Sequence, residues 1–542
     1  MKLPELNKRN WKKVLRELDL SKYPSLPIDI LKVRSKILNK QDLTILEDRI
    51  TLPKLLKFEE LSQKEISKSY IKNIDWSKFS HRPPFEFQKE GIIFLLENER
   101  CLQCDSQGLG KSIQTIIASQ LLPEQWNTLI ITTKSLKYNF EAEILHFDNR
   151  VSVIEDKWEP NRYTIIHYDQ VKKYHKQLID SKFEIVIIDE VAKIRNHSTQ
   201  RSVLITQLLT ETKQEIQKLW LLSGTLIDHR PYDFYQPLKL CKHPIAKNWM
   251  SFVTKYCNAY KDIHDRWDTS GQSNLQELHD KTKSIIIRRL KQDVLEDFPG
   301  KNRQSIILSL DNYSKYLKII TDYENTKIKN LKTGGNLKEA KAYKINAMTK
   351  LVLWRQYCAL EKLKDGSLLD LIETEIEKGN KILVATNFTS VIDYLYEKLG
   401  PSLSSILDGR IGDSKERLRI IDDFNMDINK KVLAMNMKVG SVGYNIQSAN
   451  VVICNDLSWN PSDMEQFEDR AWRIGQKKDV NCYYPIYQNT VEEILYNTII
   501  NKSLISSKII DGHEQSFFKD GKANVNENLL SNLLKQIDSI KV

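Results

Sequence analysis

From about residue 85 onward the chain repeats one pattern: an apolar run of strand length, then an amphipathic stretch with helical spacing. RCLQCD (100–105), TLIITT (128–133), YTIIHY (163–168), EIVIIDE (184–190) and LWLLSGT (219–225) form a first block. KILVATN (381–387), SSILDG (404–409), KVLAMN (431–436), VVICND (451–456) and CYYPIY (482–487) form a second. Strands that are apolar along their length and alternate with helices belong to a parallel sheet covered on both faces. The pattern predicts an α/β chain with two doubly wound lobes. Between the blocks, 230–300 reads as helical and aromatic. Residues 311–365 read as Lys-, Leu- and Tyr-rich helix, broken by KTGGN at 332–336. Residues 1–80 have helical spacing and no motif. The expected division is an N-terminal helical accessory region (1–80), a first lobe (81–300), a helical protrusion or linker (301–365), a second lobe (366–500) and a helical tail (501–542).

Lys and Arg together number 82 against 71 Asp and Glu, a net charge of +11 over 542 residues. That excess is compatible with a polyanionic partner and equally with a lysine-rich solvated surface. The seven cysteines are odd in number and scattered, which points to a reducing compartment rather than a disulfide framework. Cys101 and Cys104 make one CxxC without a second pair, and read as wall residues of a strand rather than zinc ligands. No apolar run reaches the roughly 20 residues that span a bilayer. The opening MKLPELNKRNWKK has no apolar stretch of signal-peptide type.

The glycine turn after the first strand carries chemistry. DSQGLGKS (105–112) fits the phosphate-loop template at Gly110, Lys111 and Ser112, with Asp105 where the first glycine is expected. Gly108 and Gly110 allow backbone N–H groups to turn toward an anion, and the following helix offers its N-terminus. Lys111 is placed to reach the β- and γ-phosphates of a nucleotide, and Ser112 to hold Mg²⁺. A buried strand then ends in Asp189 and Glu190, one suited to Mg²⁺ through water and the other to orienting and deprotonating the attacking water. LLSGT (221–225) is a further buried strand ending in small residues. In QFEDRAWRIGQ (466–476), Arg470 and Arg473 share a helix face and suit a polyphosphate.

Together these stretches resemble the Swi/Snf-type DNA translocases of helicase superfamily two, over roughly residues 82–500. The look is nearest to HepA-related annealing or fork-remodelling members and to phage branch-migration enzymes. The resemblance implies two RecA-like lobes with ATP and Mg²⁺ in the cleft between them. PFEFQKEGIIFLLEN (84–98) is similar to the family's opening segment and implies that Gln88 reads the adenine. The family's own phosphate loop begins with Asp, which accounts for Asp105 and implies a place for it in the nucleotide site; Ser106-Gln107 stands where Glu-Met is usual. NMKVGSVGYNIQSANVVICNDLSWNPSDMEQFEDRAWRIGQ (436–476) is the strongest likeness. It implies that Arg470 and Arg473 are arginine fingers, that Gly443 belongs to the nucleotide site, and that Gln466 acts in coupling. SGT, here Ser223, Gly224 and Thr225, resembles the coupling motif. DEVA (189–192) departs from DEAH by Val191 and Ala192, which puts tight coupling in doubt while leaving ATP binding. IIIRRLKQDVLEDFPGK (285–301) is similar to the bridge between lobes. Positions that would grip a DNA strand are Lys134, Ser135 and Tyr168 in the first lobe and Lys438 and Ser441 in the second. Trp459 reads as a packing brace.

The function expected is DNA-dependent ATP hydrolysis driving movement on double-stranded or branched DNA, in fork or junction remodelling during replication, repair or recombination. The alternatives are a remodeller of chromatin or protein–DNA complexes, and a DNA-binding scaffold with a weakened nucleotide site. The resemblance further implies a monomer without membrane association, with replication or repair proteins as possible partners. Its place would be the bacterial cytoplasm (or the host's, if phage-encoded) or the nucleus of a eukaryote.

Overall fold

The computed structural model describes residues 74–518 apart from 135, 214, 225–229, 263–264, 296, 334–346 and 441–443. Ser135, Thr225, Ser441 and Gly443 lie outside the described residues, as do residues 1–73 and 519–542. The chain divides between Glu97 and Asn98 into two units.

In the first unit, helix Glu86–Glu97 buries Phe87, Gln88, Gly91, Ile92, Leu95 and Leu96, pairs spaced four residues apart along one face. Gln88 reaches back so that its Oε1 accepts the N–H of Phe85 at 3.0 Å. This is the glutamine half of a capping box, which satisfies a donor the helix start would otherwise leave unpaired.

The second unit holds two parallel sheets. The first takes β1 (Arg100–Gln103), β2 (Thr128–Thr132), β3 (Val151–Val153), β4 (Tyr163–His167), β5 (Ile185–Ile188) and β6 (Lys218–Leu222). After a two-stranded hairpin of β7 (Tyr260–Lys261) and β8 (Trp267–Asp268), β9 (Ile286–Ile287) completes it. The order is β3-β4-β2-β5-β6-β1-β9, and every pairing is parallel. All the strands therefore end on one edge, where open α/β sheets place their ligands. The second sheet has β10 (Lys301–Leu308), β11 (Ile382–Thr386), β12 (Ser404–Leu407), β13 (Val432–Asn436), β14 (Val451–Cys454) and β15 (Val480–Tyr487), ordered β10-β15-β14-β11-β13-β12 and again parallel throughout.

Elements of the structure run across two of the expected boundaries. Residues 301–308 are not helical linker: they are the edge strand β10, paired with β15 in register from Lys301↔Val480 to Leu308↔Tyr487. The helix Ala347–Lys364 is likewise bound into the second lobe. Buried Lys362 gives its three donors to Asn455 O (2.6 Å), Pro485 O (2.7 Å) and Glu492 Oε1 (2.7 Å), and Arg355 donates to Leu457 O at 2.6 Å. No tail begins at 501, because Val491–Ile510 is one continuous helix. Its start packs in the second core through Leu495, Ile499 and Ile500, and its end in the first through Ile509 and Ile510.

A buried charge cluster fixes the edge of the second sheet. Arg303 grips Glu468 with Nε–Oε1 at 2.8 Å and Nη2–Oε2 at 2.6 Å, Lys301 reaches Glu468 Oε2 at 2.9 Å, and the Tyr484 hydroxyl donates to Oε1. Burial alone would raise the Glu468 carboxyl, but Arg303 and Lys301 outweigh it and hold the group at about 2. Its folded value lies below the ordinary 4.5, so the stabilisation is complete above about pH 4.5 and is lost as pH falls toward 2. At 1.36 kcal/mol per unit this is roughly 3 kcal/mol. Denaturant titrations of wild type and Glu468→Gln between pH 5 and 2 should converge as the pH falls. Arg303→Met, which leaves a buried carboxylate short of its partner, is expected to cost about 3 kcal/mol at pH 7.

Candidate functional site

The strand ends of the first sheet carry the predicted chemistry to one edge. After β1 the loop turns through Gly108 (φ 82°) and Gly110 (φ 75°), left-handed conformations that glycine adopts without strain. Gly110 caps helix Lys111–Gln120 with no side-chain hydrogen bond, so the helix's first N–H groups are offered to a ligand rather than to a capping residue. The Lys111 amine donates to Asp105 O at 2.8 Å and Ser106 O at 3.4 Å, curled over its own loop.

Asp105 is not aimed at this cradle. It is fully buried, and its carboxylate takes Arg289 Nε at 3.0 Å and Nη2 at 2.5 Å, with Gln103 Nε2 at 3.2 Å and Gln114 Nε2 at 3.3 Å. Main-chain bonds run alongside: Cys104 N to Ile287 O at 2.7 Å and Ser106 N to Arg289 O at 2.9 Å. The acid in place of the first glycine thus clamps the loop to the segment after β9. Cys101 and Cys104 are free and buried, and burial pushes the Cys104 thiol up to about 12.

Asp189 follows β5 and accepts from Thr132 Oγ1 at 2.8 Å. Burial first, and the neighbouring Glu190 charge second, push its carboxyl up to about 7, while the charge of Lys111 pulls the other way. Glu190 takes a left-handed backbone (φ 52°), rare for a residue with a side chain and typical of functional turns. Tyr168 supports this turn: its hydroxyl donates to Asp189 O at 2.5 Å and lies 3.2 Å from Glu190 O. At Tyr168, where a DNA contact is expected, the buried hydroxyl is bonded to the acidic turn. Lys134 and Lys438 are exposed, as a backbone grip needs.

The arginines come from the second lobe. Arg470 Nη2 donates to Gln107 Oε1 of the phosphate loop at 3.2 Å, and its Nε to Gln466 O at 3.0 Å. Burial, with help from Arg473, lowers the Arg470 guanidinium to about 10, and Glu190 is close enough for its charge to oppose that fall. Arg473 passes Gly108 closely: a Cβ added there would lie 3.7 Å from Arg473 Cγ. Its charge also meets that of Glu143 on the first lobe's helix Lys137–Leu145. Lysine and arginines therefore converge on one loop. Ser223 and Gly224 follow β6 into the same neighbourhood, Ser223 N bonding to Gln103 O at 3.1 Å.

The SNF2-related domain model matches residues 87–363, and the helicase conserved C-terminal domain model matches 363–475. The chain belongs to the SNF2-related family. Among curated relatives, human "DNA annealing helicase and endonuclease ZRANB3" is 28% identical over 451 residues, covering 79% of this chain and 40% of the relative. The Xenopus laevis "SWI/SNF-related matrix-associated actin-dependent regulator of chromatin subfamily A-like protein 1" is 28% identical over 516 residues, covering 92% and 51%. An "Uncharacterized ATP-dependent helicase" of Mycoplasma pneumoniae is 28% identical over 455 residues, covering 78% and 42%. This SNF2-related chain thus spans about half or less of the length of these relatives. A solved Sulfolobus solfataricus SWI2/SNF2 ATPase core in complex with dsDNA is 22% identical, covers 79% of this chain and 93% of that chain, and gives a TM-score of 0.38, too loose a likeness to carry an argument.

Sequence reasoning missed Arg289, Gln114 and Thr132, the side chains that hold Asp105 and Asp189. Arg289 lay within the quoted bridge segment, but nothing in the spacing tied it to a loop 184 positions earlier. Asp105→Gly restores the general phosphate-loop template yet strands Arg289. It is expected to lower the melting temperature by several degrees and to weaken binding of a fluorescent ADP at least tenfold, as read by thermal melting and fluorescence titration.

Proposed function

We propose that this chain couples ATP hydrolysis to movement along double-stranded or branched DNA. The observation that supports it best is the meeting of two second-lobe arginines with the first lobe's phosphate loop, at Gln107 and Gly108. A site assembled from both lobes makes hydrolysis and relative lobe movement one event. In this reading the loop amides and Lys111 bind the phosphates. Glu190, held in its left-handed turn, takes a proton from water aimed at the γ-phosphate. Arg470 and Arg473 meet the charge that develops as the bond breaks, a contribution on the order of 10³–10⁵ in rate.

Ser112 and Asp189 offer hard oxygen donors that fit Mg²⁺, which would neutralise phosphate charge. Among the described residues no group of three or more His, Cys, Asp or Glu could hold a metal. The Gln88 carboxamide oxygen accepts the Phe85 N–H at its own helix start and keeps a second lone pair.

The relative named as an annealing helicase supports fork or junction remodelling, and the one named as a regulator of chromatin supports remodelling of chromatin as the alternative. Proteins of replication or repair are the partners this role implies. No helix among the described residues is long and apolar enough to cross a membrane. A scaffold with weak turnover is the second reading, favoured by one observation: Ala192 has no polar side chain to join the acidic turn to its surroundings.

A phosphate-release assay with single-stranded, duplex, forked and four-way DNA separates the two. A rate rising at least tenfold with duplex or forked DNA is expected, and a rate indifferent to DNA overturns the translocase reading. Lys111→Ala is expected to abolish turnover with the melting temperature within about two degrees of wild type.

A further inference from the structure

We propose that Gln107 is a positioning residue that ties the tip of β6 to the Arg470 guanidinium across the seam between lobes. The inference rests on the ATPase reading above. Gln107 sits on the phosphate loop between Ser106 and Gly108 and has two contacts of different kinds. Its carboxamide oxygen accepts from Arg470 Nη2 at 3.2 Å. Its aliphatic stem lies against Gly224, so closely that a Cβ built on Gly224 would stand 2.7 Å from Gln107 Cγ and 3.3 Å from Nε2. Real Cβ contacts are essentially never that short, so a side chain at Gly224 must displace Gln107. Gly224 is itself pinned: Arg288 Nη1 donates to Gly224 O at 3.3 Å and to Cys104 O at 2.7 Å. A continuous path therefore runs from the end of β1 through Arg288 and Gly224 to Gln107 and Arg470.

The chemistry suits a carboxamide. It accepts from the guanidinium without adding negative charge beside the phosphates, so Arg470 is oriented and left fully cationic for the nucleotide. A thioether of similar length would fill the space against Gly224 but is only a weak acceptor. Any shift of the β6 tip moves the Gln107 stem, and with it the acceptor that aims Arg470. Ala192 has no polar group to offer, whereas Gln107 joins the nucleotide loop to the β6 tip by packing and to the second lobe by a hydrogen bond.

The two contacts make a test by epistasis. Gln107→Ala removes both the acceptor and the stem. Gly224→Ala leaves the acceptor chemically intact but pushes it aside. DNA-stimulated hydrolysis and fluorescent-ADP binding are measured on the full chain for wild type, Gln107→Ala, Gly224→Ala and the double variant. Each single variant is expected to lose about tenfold in kcat, the scale of one hydrogen bond to a charged group. KM for ATP and ADP affinity should stay within threefold. The double variant should match Gln107→Ala, because once the stem is gone the added methyl has nothing to displace. Multiplicative losses near a hundredfold overturn the inference, as does an unchanged kcat in Gln107→Ala. A loss of ADP binding in step with hydrolysis also overturns it, since Gln107 then serves the loop's fold rather than the arginine. Wild type inert with every DNA removes the ATPase reading and this inference with it, whereas an active wild type with independent variants removes the inference alone.

Discussion

The ion pair between Asp105 and Arg289 organises the rest of the site. It is buried, bidentate and reinforced by Gln103 and Gln114, so that neither charge is left alone in a low-dielectric interior. One partner opens the phosphate loop. The other stands just after β9, on the segment that leaves the first sheet for β10 of the second. The same few residues that shape the nucleotide cradle thus begin the path to the opposite lobe. Lys291, two positions further on, continues it. Fully buried, it donates to Trp472 O at 2.6 Å and pairs with Asp469 at 3.1 Å, next to the arginines that reach back to the loop. Burial lowers its amine to about 8, and Asp469 opposes that fall.

A parallel sheet explains why so many distant stretches meet. With every strand of the first sheet running the same way, the residues after β1, β2, β5, β6 and β9 arrive at one edge whatever their separation in the chain. The sequence signals are then short: a few apolar residues and one or two polar ones. Those signals make the two lobes and the acids at the strand ends legible in the sequence. Ten apolar runs stood out because their strands are buried on both faces. β10 did not, because none of KNRQSIIL is fully buried and its early charged residues are satisfied by Glu468 and Asp469 from elsewhere. β3 and β9 were too short to register as runs.

The side chains that support the site were the least legible. Tyr168 looked like a DNA contact by motif position, yet its hydroxyl holds the backbone of Asp189 and Glu190. Gln88 resembles a base reader by motif position, and its oxygen also closes a helix start. Arg289 and Lys291 stood within the bridge-like segment 285–301 with nothing to mark them, and each is held by an acidic partner, Asp105 and Asp469. The reason is the same in each case. Spacing along a chain reports which face a residue occupies, not which distant partner meets it there. Buried charge in particular is invisible until the opposite charge is placed beside it.

The central claim is that the second lobe completes a nucleotide site begun by the first. The most direct test is Arg473→Ala, assayed in parallel for fluorescent-ADP affinity and for DNA-stimulated phosphate release. If Arg473 acts on the charge of bond breaking, ADP binding stays within a few-fold while hydrolysis falls by 10³ or more. Hydrolysis within tenfold of wild type, with binding intact, would contradict a site shared between the lobes.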